Sequence, residues 1–346
     1  MGKMAGYSLV KNIVNMDKKE MIRYAKKAGK LSRKPWPFIL ADIIWCGLKY
    51  QTGYIEYFVF KFYELPRRLR KTYYSRGNNN KLVRYLNDPA YNKYFDSKIQ
   101  FNRTFAEYVD RDWMPADGMT FESFEAFCAK NPVIIAKVDR DSCGAGVSKF
   151  RVKEYEGRMK ELYETIKNGD YQLIEQNIEQ HPVISALYPE AVNTIRFCMI
   201  EKDGVKHILY SVIRMGNRGA CIDNFDTGGM SAQIDIDTGV ICTDAVDGDN
   251  IIHELHPYTG TKIKGTKIPF FNEAKEMAVR AYGVVPQIRY IGWDVAITEK
   301  GPQLIEGNRY PGNLIYPDFT EHKRGFLPDV KAVLGDEWEK VGIKGI

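Results

Sequence analysis

Between residues 10 and 86 apolar side chains recur at three- and four-residue spacing, charges fill the positions between, and strand-type alternation is absent. That period predicts helices packed along one face. Within it Tyr54-Ile55, Tyr57-Phe58-Val59-Phe60 and Phe62-Tyr63, with Leu65, form an aromatic-rich stripe that stops at Pro66. The stripe reads first as a helix face in the core, with contact to a membrane or a lipid-linked substrate as the alternative. Arg76-Gly77-Asn78-Asn79-Asn80 reads as a loop, because glycine and asparagine favour turns over helix interiors.

After Asp96 the pattern changes. A short β-rich run at 132–137 is followed by a polar loop and a second run at 147–152. Residues 154–168 predict a helix closed by Gly169, and 171–178 another strand. Residues 194–200 and 207–213 predict a hairpin about Asp203-Gly204. Residues 272–282 predict a helix, and 291–297 with 303–307 a last hairpin. Meandering strands with intervening helices define an α+β class and not a parallel doubly wound sheet.

Composition adds little until charge is placed. The 346 residues are 44% hydrophobic and 27% charged, as in an ordinary globular chain of one or two domains. The net charge of +6 is concentrated in the first ninety residues, in runs such as Lys18-Lys19, Lys26-Lys27 and Arg67-Arg68. A basic lobe can draw nucleic acid, an anionic membrane surface or a phosphorylated substrate, and a solvated helix surface explains it equally well. Six cysteines without CxxC spacing point to free thiols in a reducing cytoplasm. No signal peptide or membrane-spanning run is visible.

The sharpest chemistry is in the last hairpin. A turn centred on Lys300-Gly301 sets Asp294 opposite Glu306 on one face, with Asn308 two residues on, while Trp293, Val295, Ile297 and Ile305 face the core. Opposed carboxylates repel, so their pairing calls for a cation, and three hard oxygens suit Mg²⁺ with nucleotide phosphates. Lys137 ends a buried strand and leads into a small-residue loop with Ser142, Gly144 and Gly146, where backbone N–H groups can approach phosphate. A strand follows that loop, so it is neither a P-loop nor a dinucleotide fingerprint. At the exit of another strand, Glu175 can accept from an adenine amino group while backbone near Asn177 and Ile178 reads the ring edge. Arg196 and Arg214 sit near enough in their hairpin to serve one site for phosphate or carboxylate. Asp223-Asn224 and Gly228-Gly229 follow as a polar loop with glycines suited to close approach. His253 and His256 lack further Cys or His partners and read as structural or solvated.

In order, these elements resemble the ATP-grasp superfamily, and more narrowly the sugar-transfer-associated ATP-grasp proteins. The likeness rests on 179–182 (Glu-Gln-His-Pro), 193–196 (Asn-Thr-Ile-Arg), 222–229 (Ile-Asp-Asn-Phe-Asp-Thr-Gly-Gly), 290–298 (Tyr-Ile-Gly-Trp-Asp-Val-Ala-Ile-Thr) and 301–308 (Gly-Pro-Gln-Leu-Ile-Glu-Gly-Asn). It implies an ATP-grasp fold of two α+β lobes over residues 95–335, a nucleotide lobe at 95–180 and a metal lobe at 181–335. A basic, mostly helical region (1–94) precedes it and a tail (336–346) follows.

The resemblance places Lys98 and Lys137 on phosphates, Glu175 on adenine, and Asp294, Glu306 and Asn308 on two Mg²⁺ ions, with Mn²⁺ as an alternative. Arg196, Arg214 and Asn224 would serve the γ-phosphate and an acyl-phosphate intermediate. Proline occupies position 182, where some relatives hold the ribose, which leaves His181 or Glu179 for that task. The implied activity is ATP-dependent activation of a small-molecule or glycan-linked carboxylate for attack by an amine or thiol, in cell-surface polysaccharide biosynthesis. A phosphotransferase acting on a hydroxyl and a non-catalytic nucleotide-binding partner are the alternatives. The expected setting is cytoplasmic, with peripheral contact at the inner membrane face through the N-terminal region. No nucleic-acid partner is expected.

Overall fold

The computed structural model describes residues 17–140, 146–217, 223, 228–312 and 324–343. They divide into two compact units, one spanning Met1–Tyr85 with Pro317–Ile346 and the other Leu86–Tyr316.

The first unit is helical. Asp17 caps α1 (Lys18–Ser32), its Oδ1 accepting from the Lys19 and Glu20 N–H groups at 2.9 and 3.2 Å. Arg33, in the left-handed region at φ 55°, closes that helix, and Pro35 opens α2 (Trp36–Tyr50). The short α3 (Tyr54–Val59) and the turn after it carry the aromatic stripe into the core. Tyr57, Phe58, Phe60, Phe62 and Tyr63 are all buried. Asp42 of α2 accepts from the Tyr57 hydroxyl at 2.7 Å and from Arg70 at 2.8 Å, Arg70 lying in α4 (Arg67–Arg70). The stripe therefore packs inward, as the first of its two readings expected.

The expected loop at 76–80 is instead the start of α5 (Arg76–Leu86). Two local side-chain bonds and one long-range backbone bond overcome the weak helix preference of Gly77 and the asparagines. Ser75 Oγ accepts from the Asn78 N–H at 3.3 Å, the buried Asn79 accepts from the Tyr74 hydroxyl at 2.7 Å, and the Gly77 N–H donates to the Gln51 carbonyl at 3.3 Å. A Cβ at Gly77 would meet the Gln51 side chain at 2.3 Å, so glycine is required there.

The second unit holds two sheets, antiparallel throughout. The smaller has the order β1-β4-β2-β3, from β1 (Trp113–Pro115), β2 (Val133–Lys137), β3 (Val147–Arg151) and β4 (Leu173–Gln176). Its inner face packs Ile134 and Ile174 against α6 (Phe121–Lys130) and α7 (Met159–Asn168). Helix α7 begins later than the predicted 154, because Gly157 at φ +73° breaks the chain after a 3-10 turn at Val152–Tyr155. It ends at Gly169 as expected.

The larger sheet has the order β11-β10-β5-β6-β7-β8-β9. Its long hairpin β5 (Thr194–Lys202) and β6 (Val205–Met215) turns at Asp203-Gly204, both at positive φ, as a two-residue turn matched to strand twist requires. Strands β7 (Met230–Ile234), β8 (Ala245–Asp247) and β9 (Ile252–His253) extend one side, and β10 (Tyr290–Thr298) with β11 (Gly301–Asn308) the other. Helix α8 (Phe271–Tyr282) covers its core face, where Trp293, Val295, Ile297 and Leu304 are buried with Phe101 and Phe105. Together the units give the expected α+β architecture preceded by helices.

Gly307, opposite Trp293 in the ladder, has no room for a methyl group: a Cβ there would lie 2.7 Å from the Trp293 ring and 2.9 Å from Phe95. Gly307→Ala should therefore cost about 1–3 kcal/mol by overpacking, read as a lower urea midpoint with an unchanged m-value.

Candidate functional site

The last hairpin pairs Asp294 with Glu306, as expected, but for a different reason. Its turn is Glu299-Lys300, with Thr298 facing Gly301 and Val295 facing Leu304. On that register alone Ile305 would oppose Asp294 and Glu306 would point to the core. A β-bulge between Asp294 and Val295 admits Ile305 as an extra residue and restores Glu306 to the Asp294 face. Leu304, not Ile305, accordingly fills the core beside Val295.

The ladder continues into β5, where Asp294 faces Arg196, so Glu306, Asp294 and Arg196 form a row across three strands. Asp294 is 1% exposed. Its Oδ1 accepts from Arg196 Nε, and its Oδ2 from Arg196 and Arg214, each at 2.7 Å. Arg214 also lies 3.2 Å from the carboxylate of Asp223, which in turn accepts from the Thr194 N–H. Asn308 closes the group, donating to Glu306 Oε1 at 2.9 Å and Asp294 Oδ2 at 3.4 Å. Burial alone would push the Asp294 carboxyl up, but the Arg196 and Arg214 guanidiniums hold it below the usual carboxylate range. Burial raises Asp223 in spite of Arg214. The Arg214 Nε is buried without a partner among the described residues.

A second polar cluster lies on the smaller sheet. Glu175, fully buried, accepts from Asn102 at 2.8 Å and Arg111 at 3.0 Å and is ion-paired with Lys137. Desolvation opposes its charge, yet Arg111 and Lys137 depress its pKa strongly. Its carboxylate is thus engaged by three side chains of the chain itself, a task additional to the adenine contact expected of it. Lys98 donates to the carbonyls of Val138 and Asp139 at 2.8 and 3.2 Å, so both lysines flank the segment entering the small-residue loop. Gly146, at φ +71°, accepts from the Val138 N–H at 3.0 Å. Ser142, Gly144 and Asn224 lie outside the described residues.

The Asn177 N–H donates to Val133 O at 3.0 Å, and its side-chain amide donates to Ile178 O at 3.3 Å. His181 caps the turn Pro182–Ser185 through Nδ1, and its backbone N–H donates to Ile297 O at 2.8 Å. His256 is buried, stacked on Tyr188 and bonded to Gly216 O at 2.9 Å, as a structural histidine.

Arg111 and Asn102 escaped the sequence reading. Arg111 stands between two aspartates, a context that reads as solvated charge, yet it is buried and bridges Glu175 to the Leu304 carbonyl, 2.7 Å away at the bulge. One side chain thereby ties the lysine cluster to the carboxylate hairpin. Only long-range geometry reveals that role.

A smaller sheet with Lys137 at a strand end and Lys98 beside it, and a larger sheet carrying opposed carboxylates with arginines, match the arrangement that the resemblance to the ATP-grasp class implies. The chain belongs to the sugar-transfer-associated ATP-grasp family, whose family model matches residues 70–319. Among solved structures it is similar to the ATP-grasp ligase PsnB with a minimal precursor, at 14% identity and TM-score 0.42, covering 72% of this chain and 64% of that one. It is also similar to an ADP complex of PurK, N5-carboxyaminoimidazole ribonucleotide synthetase (10% identity, TM-score 0.42, 70% and 52% covered). A third likeness is to D-alanyl-alanine synthetase A from Vibrio cholerae O1 biovar eltor (13%, 0.41, 69% and 64% covered). The chain thus spans less than two thirds of each of these structures. No curated protein matches by sequence.

Removing Arg111 leaves Glu175 with an incomplete set of partners in a buried site. Arg111→Met should destabilise the fold by about 3 kcal/mol at neutral pH in urea titration. Glu175 has a depressed folded-state pKa, so its stabilising contribution is present above the ordinary glutamate range and fades as pH falls through the folded value. Glu175→Gln should therefore flatten the acid limb of stability against pH, and an unaltered limb would refute the ion network.

Proposed function

We propose that this chain is an ADP-forming ligase that uses ATP to convert a carboxylate into an acyl phosphate, which an amine or thiol then attacks. The observation that carries this reading is the buried Arg196–Asp294–Arg214 triple beside Glu306 and Asn308. The chemical problem is charge repulsion, since a triphosphate and a carboxylate must approach within a site that screens poorly.

The donor set fits magnesium: two carboxylates share one ladder position on a rigid hairpin, and the Asn308 side-chain oxygen, two residues on, is a third hard donor. Bound there, Mg²⁺ would neutralise charge on the transferring phosphoryl group and orient it. Arg196, fork-bonded to Asp294, keeps that carboxylate ionised and fixed. Arg214 holds Asp294 with one nitrogen while its Nε has no partner among the described residues, a donor suited to an acyl-phosphate oxygen. Lys98 and Lys137 supply positive charge for the nucleotide phosphates, and Glu175 with Arg111 sets where Lys137 starts from. The adenine edge is assigned to the backbone around Asn177 and Ile178, the ribose to His181 or Glu179, and loop phosphate contacts to Ser142, Gly144 and Gly146. Asn224 joins Arg214 on the intermediate. The family's association with sugar transfer favours a sugar acid or amino acid destined for a surface polysaccharide as the carboxylate.

Phosphoryl transfer to a hydroxyl would use the same charges, and hydroxylamine separates the two chemistries. A screen of carboxylates with ATP, Mg²⁺ and hydroxylamine should yield a hydroxamate, whereas a stable phosphoester would replace the ligase by a kinase. Asp294→Asn and Glu306→Gln should each lower Mg-dependent ADP release at least about a thousandfold, as expected when electrostatic stabilisation of phosphoryl transfer is removed. Circular dichroism should stay unchanged. Retained turnover in both variants would remove the metal assignment.

A further inference from the structure

Helix α2 is apolar on two opposite faces. At about 100° per residue, Ile39, Ile43 and Cys46 share one side, and all three are buried. Phe38, Ala41, Ile44 and Leu48 fall about 180° away, and all four are exposed, Phe38 at 74% and Leu48 at 55%. Single exposed apolar residues need no explanation, but a stripe recurring on successive turns does.

Cations flank helix α2, with Arg67 and Lys49 bordering the stripe and Lys26 at the helix start. The Lys26 ammonium lies 5.6 Å from the Trp36 ring and the Arg67 guanidinium 4.7 Å from the Trp45 ring, while exposed Lys49 adjoins Leu48. Asp42, the only acid in α2, is turned to Tyr57 and Arg70. Between Asp17 and Tyr85 the chain carries 17 lysines and arginines against 5 acids, while its whole net charge is +6. The rest of the chain is therefore net acidic, and the positive excess is confined to the unit that bears the stripe.

We propose that this face of α2 docks on an anionic phospholipid surface, with Phe38 and Leu48 entering the headgroup–acyl boundary and the flanking cations meeting lipid phosphates. An apolar stripe bordered by lysine and arginine is what an interfacial helix presents, and anionic lipid is the partner that matches both features at once. No helix among the described residues is long and apolar enough to cross a bilayer, so the contact lies in the interface plane. The aromatic stripe at 54–65, the sequence's candidate for membrane contact, is core, and α2 takes its place. The proposal does not depend on the ligase reading.

The test sediments the full chain with vesicles of phosphatidylcholine, with and without phosphatidylglycerol. The wild type should sediment only with the anionic vesicles and be released by salt. Phe38→Ser with Leu48→Ser should weaken binding about tenfold or more by removing buried apolar area, and Lys26→Gln with Lys49→Gln should weaken it severalfold. Val205→Ser, at an exposed apolar residue elsewhere, should bind as the wild type. Absence of wild-type binding, binding at the wild-type level by both pairs of variants, or equal loss in the Val205 control overturns the proposal. So does a concentration-dependent dimer that Phe38→Ser disperses while vesicle binding persists, since the face would then belong to a second copy.

Discussion

The Arg196–Asp294–Arg214 triple is the constraint on which the site depends. A buried carboxylate against two guanidiniums is expensive to assemble, and replacement of such groups by well-packed apolar residues is often neutral or stabilising. Its presence at the centre of the larger sheet therefore makes sense as pre-organisation. It fixes one carboxylate in the ionised state, in a single orientation, beside a second carboxylate on the same face. The bulge at Ile305 is part of the same device, because without it the second carboxylate would be buried on the wrong face.

Much of the fold was legible from the sequence where local rules and tertiary packing agree. The Asp203-Gly204 turn, the strands around Lys137 and Glu175, and the helix ending at Gly169 all carry short-range signals strong enough to survive assembly. Where the two disagree, packing won. Gly77 and Asn79 look like loop residues until Gln51 and Tyr74 are placed beside them. The opposition of Asp294 and Glu306 was read correctly from an assumed turn centre, but the true turn is one step away and a bulge compensates. Periodicity cannot show a bulge, since its sequence mark is only one residue too many.

The site was legible in part, for a related reason. Lys98, Lys137, Arg196, Arg214, Asp294, Glu306 and Asn308 stood out by charge and order along the chain. Arg111 and Asn102 did not, because their importance lies in whom they touch. The two clusters also differ in kind. Asp294 shares its partners with groups suited to substrate and metal, whereas Glu175 is answered wholly from within the chain by Asn102, Arg111 and Lys137. That contrast separates a carboxylate placed beside a second carboxylate from one enclosed by partners of the chain itself.

Strand β11 is the outermost strand on its side of the larger sheet, and such a strand ordinarily offers a row of unpaired carbonyls to any passing chain. Here the Leu304 carbonyl is already taken by Arg111, and the bulge beside it twists the edge out of register. The same guanidinium that holds Glu175 beside Lys137 therefore also occupies one acceptor of the edge where a further strand could add. Losing it would expose a sticky border as well as loosen a site, so aggregation would be expected to accompany weakened stability.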